Sequence, residues 1–170
     1  MDSVSYYFSN ASGDAYAVEI SQVNEGFLSE ETYKLLHGKG ILLWDIILIR
    51  HGWQLRKTPL HILSDISRCI SDFYQTHQNA ILYFQCDDLE DVPMSSAKRA
   101  DGLTVQAYRS RLFSRMFDRQ MQTLSSLPIV NVPIYFEACG NDVYLHLMAL
   151  DVYLPYIDVI KNDVTECYSK

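Results

Sequence analysis

Between Ile41 and Asp91 the chain alternates two apolar runs with one amphipathic pattern, and this succession limits the possible folds more than any other feature. Ile41 to Arg50 is nearly continuous in apolar and β-branched residues, broken only by Asp45, which suits a long buried strand better than a helix. Thr58-Pro59 then starts a helix, with Thr as N-cap and Pro at the first helical position, where its missing N–H has no partner to lose. From Pro59 to Tyr74, the residues Ile62, Leu63, Ile66, Cys69, Ile70, Phe73 and Tyr74 share one helical face, and Ser64, Asp65, Arg68, Ser71 and Asp72 fill the other. The second apolar run begins at Ala80 and ends abruptly in Asp87, Asp88, Glu90 and Asp91. Strand, helix and strand in this order predict that the 41–50 and 81–86 strands lie parallel in one sheet through a right-handed crossover. Ligands collect at the carboxyl ends of such strands, so the acidic end of the second run is the expected functional edge.

The remaining segments add strands on either side. Tyr6 to Ser9 and Ala15 to Val23 flank the turn composition Asn10-Ala11-Ser12-Gly13-Asp14 and predict a hairpin. Ser29-Glu30-Glu31-Thr32 opens a short connecting helix that ends near Gly38 or Gly40. Residues 91–102 read as a loop, and a second main helix runs from Thr104 to Leu124 with Leu112, Phe113, Met116, Phe117, Met121 and Leu124 as its apolar face. Two more strands, Ile129 to Ala138 and Val143 to Leu150, join through Cys139-Gly140-Asn141-Asp142, and Pro133 belongs on an edge because it cannot donate to a ladder. A short closing helix follows Pro155. The expectation is a single α+β domain, 1–170, with a mixed six-stranded sheet packed by two main helices, in the order strand-strand-strand-helix-strand-helix-strand-strand.

Composition narrows the function classes. At 170 residues and 48% hydrophobic, one domain can bury its core without disulfides or a structural metal. A net charge of −7 argues against a general nucleic-acid binder, which needs clustered cations. Lys98, Arg99, Arg109, Arg111, Arg115 and Arg119 do crowd together, and a solvated helix face accounts for them. Cys69, Cys86, Cys139 and Cys167 form no Cys-x-x-Cys pair and read as reduced thiols. Met1-Asp2-Ser3-Val4-Ser5 has neither a basic region nor an apolar core, and no apolar run reaches membrane-spanning length, so the expected location is cytoplasmic.

No complete catalytic motif appears: there is no His-Glu-x-x-His, Gly-x-Ser-x-Gly, P-loop or Rossmann glycine set. Asp87, Asp88 and Asp91 have the oxygen ligands that Mg²⁺ or Ca²⁺ prefers, at a strand end where phosphoryl chemistry is often placed, but also the composition of an ordinary acidic loop. Asp45 reads as an outward-facing or hydrogen-bonded carboxylate, with a catalytic base as the minority alternative. His146, alternating with Tyr144, reads as a half-exposed sheet histidine. Arg109 falls on the apolar edge of its helix and needs a partner, for which Asp87 or Asp88 is nearest in sequence.

Two resemblances follow from the assembled elements. Tyr6-Tyr7-Phe8, Cys86-Asp87, the helix Arg109-Ser110-Arg111-Leu112-Phe113-Ser114-Arg115-Met116-Phe117, Tyr144 and Pro155 resemble the pattern of a family of small bacterial proteins without an assigned activity. That resemblance implies a fold and no chemistry. The order of elements is also similar to the latter part of the acyl-CoA N-acyltransferases related to histone acetyltransferases. In that family a glycine-rich loop cradles the pyrophosphate of CoA at a helix N-terminus. The matching stretch here, Gly52-Trp53-Gln54-Leu55-Arg56-Lys57-Thr58-Pro59, lacks those glycines but offers Arg56, Lys57 and Thr58 to a phosphate. The family's tyrosine acid is matched by Phe113, which has no proton to give. The resemblance implies a shared scaffold with altered chemistry.

The expectation is therefore a cytosolic binding or regulatory module without catalytic residues, taking a protein or small-molecule ligand. An acyl-CoA-dependent N-acyltransferase is the alternative, and a metal-dependent phosphoryl-transfer enzyme the third. No cofactor is specified by the sequence itself.

Overall fold

The computed structural model describes residues 2–9, 14–23, 26–51, 60–86, 102–124, 126–138 and 140–168. At its centre stand β3 (Leu42–His51), α2 (Leu60–Thr76) and β4 (Ala80–Cys86), with β3 and β4 parallel as the crossover pattern predicts. The hairpin of β1 (Ser3–Ser9) and β2 (Ala15–Val23) precedes them, and α1 (Glu30–Gly38) leads into β3. After β4 come α3 (Val105–Leu124), β5 (Ile129–Ala138), β6 (Asn141–Leu150), a 3-10 turn (Asp151–Tyr153) and α4 (Leu154–Tyr168). The six strands form one mixed sheet in the order β1-β2-β3-β4-β6-β5, in a single α+β domain. The other neighbouring pairs are antiparallel.

Period-two alternation assigns the two faces. Tyr16, Val18, Ile20, Trp44, Ile46, Leu82 and Met148 point to one side, where Ile66, Ile70 and Phe73 of α2 and Phe117 and Met121 of α3 cover them. Leu43, Ile81, Ile134, Phe136, Leu145 and Leu147 point to the other and meet Leu36 of α1 and Ile157, Ile160 and Val164 of α4. This corrects two expectations. The first helix is not only a connector, and the closing helix is not short but fifteen residues long. Central strands buried on both faces must be covered on both, and the pair of main helices covers only one.

Specific polar bonds fix the layers. Tyr74 Oη, fully buried, donates to the Met148 carbonyl at 2.6 Å and ties α2 to β6. Ser29 caps α1 by accepting from Thr32 N–H at 3.3 Å, and its own N–H donates to Asp163 Oδ2 at 2.7 Å, joining α1 to α4. Asn79 Nδ2 donates to the Gly40 carbonyl at 2.7 Å, where the positive φ of 69° turns the chain into β3. Pro133 lies on β5, an outer strand, as its missing donor requires. Among the described residues, no helix is long and apolar enough to cross a membrane.

Candidate functional site

β3 and β4 pair only from Leu42 opposite Ala80 to Asp45 opposite Tyr83. Beyond that point β3 continues against β2, from Ile46 opposite Ile20 to His51 opposite Ala15, and β4 continues against β6, from Phe84 opposite His146 to Cys86 opposite Tyr144. The two strands thus part company at Asp45 and Tyr83, and among the described residues no other strand pairs between them, which leaves a wedge toward their carboxyl ends.

The apex of the wedge is polar. Tyr83 donates its hydroxyl hydrogen bond to Asp45, and Phe27 stacks on the Tyr83 ring at 4.2 Å and 6°. Burial holds the Asp45 carboxyl above the usual range, more strongly than the bonds from Tyr83 and the Ile46 backbone pull it down. Of the two sequence alternatives for Asp45, the hydrogen-bonded carboxylate describes it. Just past the apex, Ile47 on one face is 44% exposed and Leu48 on the other is 38% exposed.

A second cluster adjoins the end of β4. Gly102, at φ 70°, turns the chain toward α3, and Thr104 caps that helix by accepting from Ala107 N–H at 3.2 Å. This places Arg109 beside Cys86, the last residue of β4. Burial raises the Cys86 thiol to about 12 against the opposing pull of the Arg109 charge, and burial lowers Arg109 from its ordinary value. The thiol is thereby kept protonated and inert at neutral pH.

At the next residue, Ser110 Oγ lies 2.9 Å from His146 Nε2, and His146 Nδ1 lies 3.0 Å from Asn131 Oδ1. Asn131 Nδ2 donates to Ser114 Oγ at 3.4 Å, which turns its oxygen toward the imidazole. In the tautomer this pattern assigns, Nδ1–H donates to Asn131 and Nε2 accepts from the Ser110 hydroxyl. The connectivity is that of a nucleophile, a base and an orienting group. The environment gives it another role: His146 is 0% and Ser110 6% exposed, and burial lowers His146 to about 4. An asparagine adds no negative charge to stabilise an imidazolium. The result is a neutral polar lock that joins α3 to β5 and β6, roofed by Phe113 at 4.8 Å from the imidazole.

His146 is therefore a correction: it is buried, not half-exposed, because α3 covers the face of β6 on which it sits. The sequence reading missed this lock. Its signal was Ser110 standing three and seven residues before Phe113 and Phe117, a polar residue on the core stripe. Arg111, Arg115 and Arg119 are exposed, as a solvated face requires. Arg56, Lys57 and Thr58, Asp87, Asp88 and Asp91, and the proposed partners of Arg109 among them, lie outside the described residues. In sequence the first set follows β3 and the second follows β4, the two strands that part. Among the described residues, no group of three or more His, Cys, Asp or Glu side chains is placed to hold a metal ion.

Compared with known proteins, the chain matches no family model, no curated protein and no solved structure.

Proposed function

We propose that this chain is a cytosolic, non-catalytic binding module on a scaffold like that of the acyl-CoA N-acyltransferases, and that its ligand is an acyl-CoA or a similar extended, amide-bearing thioester. One observation carries the reading: β3 and β4 stop pairing after Asp45 and Tyr83 while both strands run on. Parted strand edges leave backbone N–H and C=O groups facing a gap, and a ligand with amides along an extended arm takes over those bonds as an added strand does. The arm of CoA between its thiol and its pyrophosphate is such a chain. The strand order, with its single parallel pair at the centre, supports the same reading. Arg56, Lys57 and Thr58 supply cations and a hydroxyl to the phosphates in this proposal.

Two observations support binding over catalysis. Phe113, standing where the resembled family carries a tyrosine acid, packs against Phe84 at 5.0 Å and offers no proton. His146, the nearby imidazole, is locked neutral and is a weak base at pH 7. The transferase alternative is favoured by Asp45 alone, whose raised carboxyl at the wedge apex has the character of a base.

Thermal unfolding with acetyl-CoA, and separately with Mg²⁺, tests this. Acetyl-CoA at about 100 times its Kd stabilises the folded chain by about 2.7 kcal/mol, with no thioester consumed when an amine is added. No shift at millimolar acetyl-CoA contradicts the ligand, amine-dependent release of CoA contradicts the non-catalytic reading, and a shift with Mg²⁺ alone favours the acidic loop.

A further inference from the structure

The two outer strands of the sheet are built differently. On β5, Pro133 removes a backbone donor halfway along, and the exposed Glu137 puts a charge near its end, devices that keep a free edge from pairing. On β1, Ser3-Val4-Ser5-Tyr6-Tyr7-Phe8-Ser9, there is no charge, no proline and no bulge, and every residue is in register with β2. The phase of its hydrogen bonds follows from Gln22 N–H donating to the Asp2 carbonyl at 3.1 Å. Asp2 and, by alternation, Val4, Tyr6 and Phe8 direct their backbone groups at β2; Ser3, Ser5, Tyr7 and Ser9 direct theirs outward.

We infer that β1 is a dimerisation edge and pairs antiparallel with β1 of a second copy about a two-fold axis at Tyr6. The register is dictated by the strand. An axis normal to the sheet keeps equivalent faces together, so opposed residues share a face, and centring on Tyr6 sets Ser3 against Ser9, Val4 against Phe8, Ser5 against Tyr7 and Tyr6 against itself. All outward amides and carbonyls of Ser3, Ser5, Tyr7 and Ser9 then find partners, two bonds per opposed pair, about eight in all. Centring on Ser5 or Tyr7 loses pairs at the ends. On the α2 side the half-buried row of Val4, Tyr6 and Phe8 meets the same row of the other copy, extending one apolar surface across the axis. On the far side Tyr7, 75% exposed, is covered by the opposing Ser5.

A second copy fits this edge on charge as well. Each chain carries −7, so two copies approach best where no like charges are opposed, and β1 is uncharged along its whole length. Beside it, α2 brings Cys69 and Asp72 close to Tyr6. Arg68, held 3.4 Å from Asp65, keeps that flank from being of one sign. The resulting sheet is continuous across both copies and isologous, the commonest symmetry of soluble oligomers. The inference does not depend on the acyl-CoA reading.

Sedimentation over a concentration series tests it. The expected result is a species of twice the chain mass at tens of micromolar, and Ser5→Pro, which removes one outward N–H and none directed at β2, raises the dissociation constant at least tenfold with an unchanged circular dichroism spectrum. Tyr6→Cys in a Cys69→Ala background gives a second reading that does not depend on Ser5→Pro folding. Residues opposed at the axis in a pair without hydrogen bonds have Cα atoms about 4.5 Å apart, within disulfide reach, so mild oxidation links two chains, whereas Val4→Cys, which faces Phe8, links far fewer. A monomer at all concentrations, a dimer indifferent to Ser5→Pro, or equal cross-linking at positions 4 and 6 overturns the proposal.

Discussion

The parallel pair at the centre of the sheet has a closed half and an open half, made of much the same residues. In the closed half, Leu43, Trp44, Ile81 and Leu82 are buried on both faces beneath four helices. In the open half, Ile47 and Leu48 belong to the same apolar run of β3 yet keep over a third of their surface in contact with solvent. Hydrophobicity does not distinguish them. Ile47 and Leu48 lie where β3 no longer pairs with β4. One half holds the fold together, and in the proposed reading the other presents strand edges for a ligand.

Substitutions in the two halves separate these roles, and the largest effect belongs to the closed half. Leu82→Ala removes a fully buried side chain opposite Trp44 and costs about 2–5 kcal/mol, read as a lower Tm whether or not acetyl-CoA is present. The next effect is pH-dependent and tests the lock behind the open half. His146 is held neutral, with its folded value, about 4, below the ordinary 6.5. Its stabilising share is therefore complete above pH 6.5 and is lost as the pH falls from there toward 4, about 3 kcal/mol in total. A urea midpoint that falls across that window in the wild type, and stays flatter in His146→Gln, bears this out.

Arg109→Ala comes third, at about 1–3 kcal/mol, because it empties a half-buried position beside Cys86. Arg111→Ala, on the exposed face of the same helix, costs less than about 0.5 kcal/mol, and equal losses at the two positions would place Arg109 in solvent. Substitutions in the open half cost far less stability than Leu82→Ala. Ile47→Ser and Leu48→Ser change the stability by less than about 1 kcal/mol but weaken the stabilisation by acetyl-CoA. If they unfold the chain as Leu82→Ala does, the open half is ordinary core and the comparison fails.

Much of this division was legible in the chain. The Ile41–Arg50 run, the helical spacing from Ile66 to Tyr74 and the Ala80–Cys86 run predicted the parallel unit, since long periodic patterns survive tertiary context. Pro133 identified its strand as an edge. The point where β3 and β4 separate was not legible, because Ile46, Ile47 and Leu48 look alike and pairing is decided by chains distant in sequence. The polar lock escaped for the same reason. Ser110, Asn131 and His146 come from a helix and two strands, the place of Ser110 on its core stripe names no partner, and only the packing of α3 on the sheet brings them within 3 Å. The roles of α1 and α4 were not legible, because they show only when the second face of the sheet is known to need cover.

The central claim is that the gap between β3 and β4 is where the ligand binds. Backbone amide shifts recorded while acetyl-CoA is titrated test it most directly, in the wild type at neutral pH. The account predicts that the perturbed amides concentrate in Ile46–His51 and Phe84–Cys86, with Leu42–Trp44 and Ala80–Leu82 unmoved. Saturable perturbation of residues elsewhere, or none at millimolar acetyl-CoA, would contradict it.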